Sequence, residues 1–229
     1  MNFLSLVNRT RRECGISGAD LATIESGLSL ERRRFVDWVN QAWVDLQMAR
    51  DDWQWMRKDV VFQTIAAQSN YTLAEAGATD VSEWIADSFR SYLTAGGQVG
   101  EQPMEWVEYP RFRDQYQFSS MRTTTGFPLW ITKNPDHSLA VWPLPADAYT
   151  IEGQYYRAPS ELALDNDNPV DGGLPERFNV LIVYKAMQSY GFFAAAPEVE
   201  MRGLNLGRAM MQRLEKWGLP ELEMAGPLA

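Results

Sequence analysis

The sequence is short of the residues that most protein chemistry needs. It has one cysteine, Cys14, and one histidine, His137. A single cysteine forms no internal disulfide, so nothing points to an oxidising compartment. Basic residues are outnumbered, 21 Lys and Arg against 30 Asp and Glu, giving a formal net charge of -9. Proteins that grip nucleic acid neutralise phosphates with clustered Lys and Arg, and no such block is present. Passive contact stays open, because an acidic surface also lines channels through which DNA slides without sticking. The arginines at 9, 11 and 12 and at 32–34 read as solvated helix faces. No apolar run approaches the ~18 residues of a membrane span. The first dozen residues lack the pattern of a secretory signal, so we read cytoplasmic synthesis. Catalytic signatures are missing too: there is no G-x-S-x-G, P-loop, H-E-x-x-H or dinucleotide fingerprint.

What is present suits a folded protein of one large domain or two small ones, with no need of a disulfide or metal staple. Of the 229 residues 45% are hydrophobic and 22% charged, and nine are Trp. Large rigid aromatics fill cores and also anchor interfaces.

Periodicity divides the chain. The pattern predicts a helix from Asn2 to about Glu13, with Phe3, Val7, Thr10 and Cys14 on one face. A longer helix is predicted over Leu30–Arg50, capped by Ser29. Its Phe35, Val39, Ala42, Leu46, Ala49 and Trp53 recur every three or four residues. Trp38 and Trp43 lie off that stripe, so this helix is apolar on more than one side. From Lys58 the period drops to two: Val60, Phe62 and Thr64 alternate with Val61, Gln63 and Ile65. Further strands are predicted at Asn70–Leu73, Phe89–Thr94 and Met104–Val107, with Tyr109–Phe118 a short helix or connector. Leu129–Lys133, Leu139–Trp142 and Tyr149–Arg157 read as a three-stranded meander. After a turn-rich linker, Asp165–Gly173, Pro175 opens a largely apolar helix to Ala194, and Pro197 opens the last, running to about Trp217. The expected fold is α+β: a four-helix bundle from the N- and C-terminal helix pairs, with an inserted antiparallel β-rich region. In residue terms, 1–56 and 174–229 form the helical bundle domain and 57–173 the inserted β-rich domain.

No group stands out as catalytic, cofactor-binding or metal-binding. His137 sits among turn formers, Pro135–Ser138. Cys14 ends an amphipathic helix, where a packed small hydrophobe is the simpler reading. Acid pairs such as Asp51 with Asp52, Glu83 with Asp87 and Glu101 with Glu105 are spaced without a pattern that picks out glycoside chemistry. The Asp165–Gly172 run offers oxygen ligands but departs from the EF-hand order. The Trp-bearing strands around Trp130 and Trp142 suit either a sheet core or sugar stacking. That leaves a carbohydrate-binding or degrading component as an alternative reading.

Several segments are more distinctive: Met1–Arg9 (MNFLSLVNR), Arg34–Asn40 (RFVDWVN), Asp87–Arg90 (DSFR), Leu174–Phe178 (LPERF) and Ala195–Glu200 (AAPEVE). Together, in order along nearly the whole chain, they resemble the head-to-tail adaptor (connector) proteins of tailed bacteriophages. The nearest likeness is to short-tailed phage adaptors of the tail tubular protein A type, with one extra residue before Pro197. That resemblance implies a structural virion protein at the head-tail junction. It also implies a homo-oligomeric ring, usually a dodecamer, docked beneath the portal protein, holding a tail nozzle or tail tube protein and passing genomic DNA through its lumen. No cofactor, enzymatic activity or membrane partner is implied. A head-completion factor of a long-tailed phage is a related reading. Within the resemblance, Trp38, Trp43, Phe193, Pro197 and Glu198 are the expected assembly interface, with burial inside one subunit the other outcome for the two Trp.

Overall fold

The computed structural model describes residues 1–220 and is α+β, divided into two compact units. Residues 221–229 of the expected helical domain lie outside the described residues. One unit is Met1–Met56 with the chain from Pro159 onward; the other is Arg57–Ala158. The chain opens with α1 (Phe3–Glu13) and α2 (Leu30–Gln47). The second unit then carries β1 (Arg57–Gln63), β2 (Asn70–Tyr71), β3 (Val81–Trp84), β4 (Arg90–Leu93), β5 (Gln102–Pro103) and β6 (Glu105–Trp106). It continues with α3 (Tyr109–Tyr116), β7 (Thr125–Gly126), β8 (Trp130–Lys133), β9 (Leu139–Trp142), β10 (Leu144–Pro145) and β11 (Tyr149–Arg157). The chain ends on α4 (Asn179–Phe193) and α5 (Pro197–Gly218).

In the helical unit, local chemistry sets where the helices start. Asn2 caps α1 by accepting from the Ser5 amide at 3.0 Å, and Ser29 caps α2 by accepting from Arg32. Helix α2 stops at Gln47, earlier than the apolar period suggests. Trp53 is fully buried, but it folds back beyond the helix and its indole N–H donates to the Leu46 carbonyl at 3.1 Å. That bond gives the helix end a partner the helical ladder does not supply. Arg11 departs from the solvated reading: it is buried, with its guanidinium donating to the Ala19 carbonyl.

Helix α4 is the hub, packed against α1, α2 and α5. Its Leu181, Ile182, Val183, Ala186 and Met187 are all buried. Full burial of a Leu, Ile, Val or Met side chain is worth about 1.5–3 kcal/mol. The expected up-down four-helix bundle is not shown; the structure has this α4-centred packing instead, with α5 nested on α4 through glycines. A Cβ on Gly203 would sit 2.7 Å from the Tyr184 carbonyl, and one on Gly191 would sit 2.6 Å from the Glu200 amide. The linker after Pro159 is strapped to the same helices. Gln47 bonds Ser160 in both directions, Asn40 accepts from the Leu162 amide, and the Phe3 amide donates to Asp167.

The other unit holds two main sheets. One has the order β1-β11-β4-β5, with β3 sharing the β4 side of β11; the other has the order β2-β9-β8-β6. Strand β11 pairs antiparallel with β1 along its length, from Arg57 opposite Tyr156 to Gln63 opposite Thr150. The expected meander is therefore corrected. Strands β8 and β9 form the hairpin, but Pro143–Pro145 breaks the run and β11 joins the opposite sheet. The pairings are antiparallel except for two short parallel ones, β6 with β8 and β7 with β10. Val60 and Phe62 from one sheet and Ile131, Leu139 and Val141 from the other meet in one core. Gly153 is needed there, since a Cβ would lie 2.5 Å from the Phe89 ring. On the far side of the second sheet, α3 buries Phe112 against Ala140, under Tyr116, Trp130 and Trp142.

Candidate assembly interface

The corner between α4 and α5 is built from the residues that force it. The Ala194 amide closes α4 on the Tyr190 carbonyl at 2.8 Å, and the Ala196 amide returns to Gly191 at 2.9 Å. Ala195 takes φ 50°, an uncommon conformation for a non-glycine residue. Pro197 then starts α5, where its missing N–H costs nothing. With the inner side of the hairpin closed by Gly191 against Glu200, the two phenylalanines at the end of α4 have nowhere to go but out. Phe192 is 84% exposed and Phe193 56%.

Phe193 is held although it is exposed. Its ring lies 5.5 Å from that of Trp38, and the Arg34 guanidinium sits over it at 4.5 Å. Trp38 is half-buried between Phe35 at 5.2 Å and Tyr190 at 6.0 Å. Pro197 and Glu198 are exposed at the start of α5. Four of the five expected residues, Trp38, Phe193, Pro197 and Glu198, thus belong to one corner. Trp43 does not: it is 1% exposed, with its ring 5.9 Å from that of Trp55 inside the core of the helical unit. Phe192, Leu30, Met201 and Leu204 add exposed apolar surface that the helical period did not single out. Met201 and Leu204 fall off the Gly203–Gly207 stripe that packs on α4, and that mismatch was the available signal.

A match to known proteins bears on what such a surface is for. The family model described as SU10 adaptor protein matches residues 1–220. The chain belongs to this family. It is a bacteriophage head-to-tail adaptor, a structural protein of the virion whose place is the head-tail junction, in association with portal and tail components. The family matched is the SU10 one; the narrower likeness to the tail tubular protein A type is not what it names. No curated protein matches the chain.

Elsewhere in the adaptor several of the polar groups weighed as candidates are tied up in structure. Burial pushes the Cys14 thiol up to about 12, helped by the Glu13 carboxylate and opposed by Arg202. His137 sits at φ 65° in the β8–β9 turn, and its carbonyl accepts from the Trp84 indole. Glu83 is bonded by Lys133 and Glu105 by the Trp130 indole. In the acidic linker Asp165 accepts from the Ile24 amide, and Asp167 from those of Ala163 and Leu164. These bonds, with burial opposing, hold the Asp167 carboxyl below the usual range. Among the described residues no group of three or more His, Cys, Asp or Glu is placed to hold a metal, and no helix is long and apolar enough to cross a membrane.

Proposed function

We propose that this adaptor assembles into a homo-oligomeric ring, a dodecamer, which docks beneath the portal, attaches the tail nozzle or tube and lets genomic DNA pass through its lumen. The helices act as one bundle that contacts the portal and neighbouring subunits, and the β unit presents its surface to the tail. The role is structural and not enzymatic. One observation carries this reading: two adjacent phenylalanines are exposed on a corner that glycine packing and an arginine-aromatic stack hold rigid. A ring needs two different faces on each subunit, so apolar surface beyond the subunit's own core is required. The net charge of -9 suits a lumen that does not retain phosphates. Trp43 serves the interface from beneath, as part of the core supporting α2.

Electron microscopy of the purified chain mixed with its portal tests the proposal. A ring stacked on the portal is expected; a persistent monomer with no portal affinity overturns it.

A carbohydrate-binding role has one observation in its favour, a cavity of about 370 Å3 lined by Phe112, Tyr116, Trp142, Arg122 and Asn70. Glycan-array binding by the purified chain decides it, and a blank array removes it.

A further inference from the structure

Among the described residues strand β1 is an outer strand, with β11 its one neighbour in the sheet. The Thr64 amide donates to the Tyr149 carbonyl at 2.8 Å. Counting back in twos, the hydrogen-bonded positions facing β11 are Phe62 opposite Ile151, Val60 opposite Gly153 and Lys58 opposite Tyr155. The alternation of an antiparallel ladder then turns the N–H and C=O of Asp59, Val61 and Gln63 to the open side. The far side of β11 keeps the same alternation, since the Gln154 carbonyl accepts from Ile85 and the Ala148 carbonyl from Thr94.

Outer strands are normally blunted by charge, proline or a bulge, because an unpaired edge is a template for another strand. Here the protection is uneven. Arg57, Lys58 and Asp59 guard the start of β1, but Val60–Ile65 contains neither charge nor proline. Val61 and Ile65 are exposed. The Ile65 amide is already taken by the Tyr71 hydroxyl, so the open groups end at Gln63.

The chemistry beside the edge narrows the occupant. A cavity of about 340 Å3 next to it is lined by Asp59, Val61, Asp87, Arg90, Glu152 and Gln154. Arg90 is drawn to Glu101 at 3.4 Å, and Arg57 donates to Gln154 at 2.9 Å at the cavity's rim; Asp59, Asp87 and Glu152 still outnumber these two cations, so the balance is acidic. A second copy of this chain meets these demands poorly. Two β1 strands paired antiparallel about Val61 would place Gln63 opposite Asp59, with no basic side chain for the cavity. At the other end of the sheet, β5 contains Pro103, which has no N–H to give.

We propose that β1 accepts, by strand addition, an extended segment of a tail component. The segment's main chain pairs with Asp59, Val61 and Gln63, and its Lys or Arg side chain enters the carboxylate-lined cavity. The assignment to a tail component rests on the adaptor reading above.

Hydrogen exchange on the purified chain, alone and mixed with the purified tail component of the same phage, tests this. In the free chain the amides of Asp59, Val61 and Gln63 exchange fast while those of Val60 and Phe62 are protected. On mixing, the three outward amides slow at least tenfold. Val61→Pro removes an N–H that the subunit's own fold does not use, and it weakens tail binding at least tenfold. Proline also restrains the strand, so the pair Asp87→Lys with Glu152→Lys tests the cavity without touching the backbone, again with at least a tenfold loss. Tail binding unchanged by either variant overturns the proposal, while portal-bound rings in the same preparation leave the adaptor reading standing. Outward amides protected in the purified chain alone, and released on dilution, overturn it in favour of a second copy.

Discussion

Arg34 and Phe193 meet at 4.5 Å, guanidinium over ring, and so join the start of α2 to the end of α4 at the molecule's most exposed aromatic corner. The contact settles which way Phe193 faces without burying it. Phe192, one residue earlier, has no such stack among the described residues and is the more exposed of the two.

Replacing both phenylalanines by serine therefore separates folding from assembly. Exposed substitutions away from caps and cores usually stay within about 0.5 kcal/mol of wild type. Because the Arg34 stack on Phe193 is lost, the double variant is expected to unfold in urea within about 1 kcal/mol of the parent, while ring formation on the portal, scored by electron microscopy, is lost.

Trp43→Ala is expected to do the reverse. Truncating a fully buried Trp costs about 3–5 kcal/mol, and the effect will show in the isolated subunit as a lower urea midpoint. An unchanged midpoint with loss of ring formation would place Trp43 at a subunit contact instead.

Gly203→Val adds a branched side chain where even a Cβ would come within 2.7 Å of the Tyr184 carbonyl. Backbone cannot swing aside as a side-chain tip can, so a loss at or above the usual 1–3 kcal/mol of overpacking is expected. Gly207→Ala is the control. Its Cβ would meet ordinary contacts at 3.5 Å or more, and replacing a helical glycine stabilises by up to about 1 kcal/mol.

The β unit should lose stability in acid through Asp80. Burial opposes its ionisation, but hydrogen bonds from Lys58 at 2.6 Å and Tyr155 at 2.8 Å overcome this and lower its pKa. A carboxyl held below its unfolded value of roughly 3.9 stabilises above that pH, and the contribution is lost as pH falls through the folded value. The gap in urea midpoint between wild type and Asp80→Asn should thus be full at pH 6 and shrink below about pH 4. A gap that persists to pH 2 would contradict this.

Cys14 is expected to resist alkylation at pH 8, because its thiolate is scarce when burial has pushed the thiol up to about 12. Mass spectrometry after iodoacetamide should show modification only in denaturant.

Much of the fold was legible because period follows packing. Val60, Phe62 and Thr64 alternate with Val61 and Ile65 in the sequence, and the structure buries the first set and exposes both members of the second. Two-residue strands such as Thr125–Gly126 and Leu144–Pro145 carry no period and were missed. The destination of β11 was hidden for a different reason: a strand's alternation says which face is buried, not which sheet it joins. At the corner, Phe193 and Pro197 were readable from the chain, but the exposure of Phe192 was not, because it depends on how closely Gly191 lets α5 approach. Trp43 was ambiguous since a position off one stripe can still face a second neighbour, here Trp55.

The pairing of Arg57 with Tyr156 means that the chain enters the β unit and leaves it on adjacent strands, about 4.8 Å apart. Everything between those two residues is a cassette with a common doorway. Evolution, or a protein engineer, can exchange the whole insert for another with the same doorway by recombination at two points and leave the helical part unthreaded.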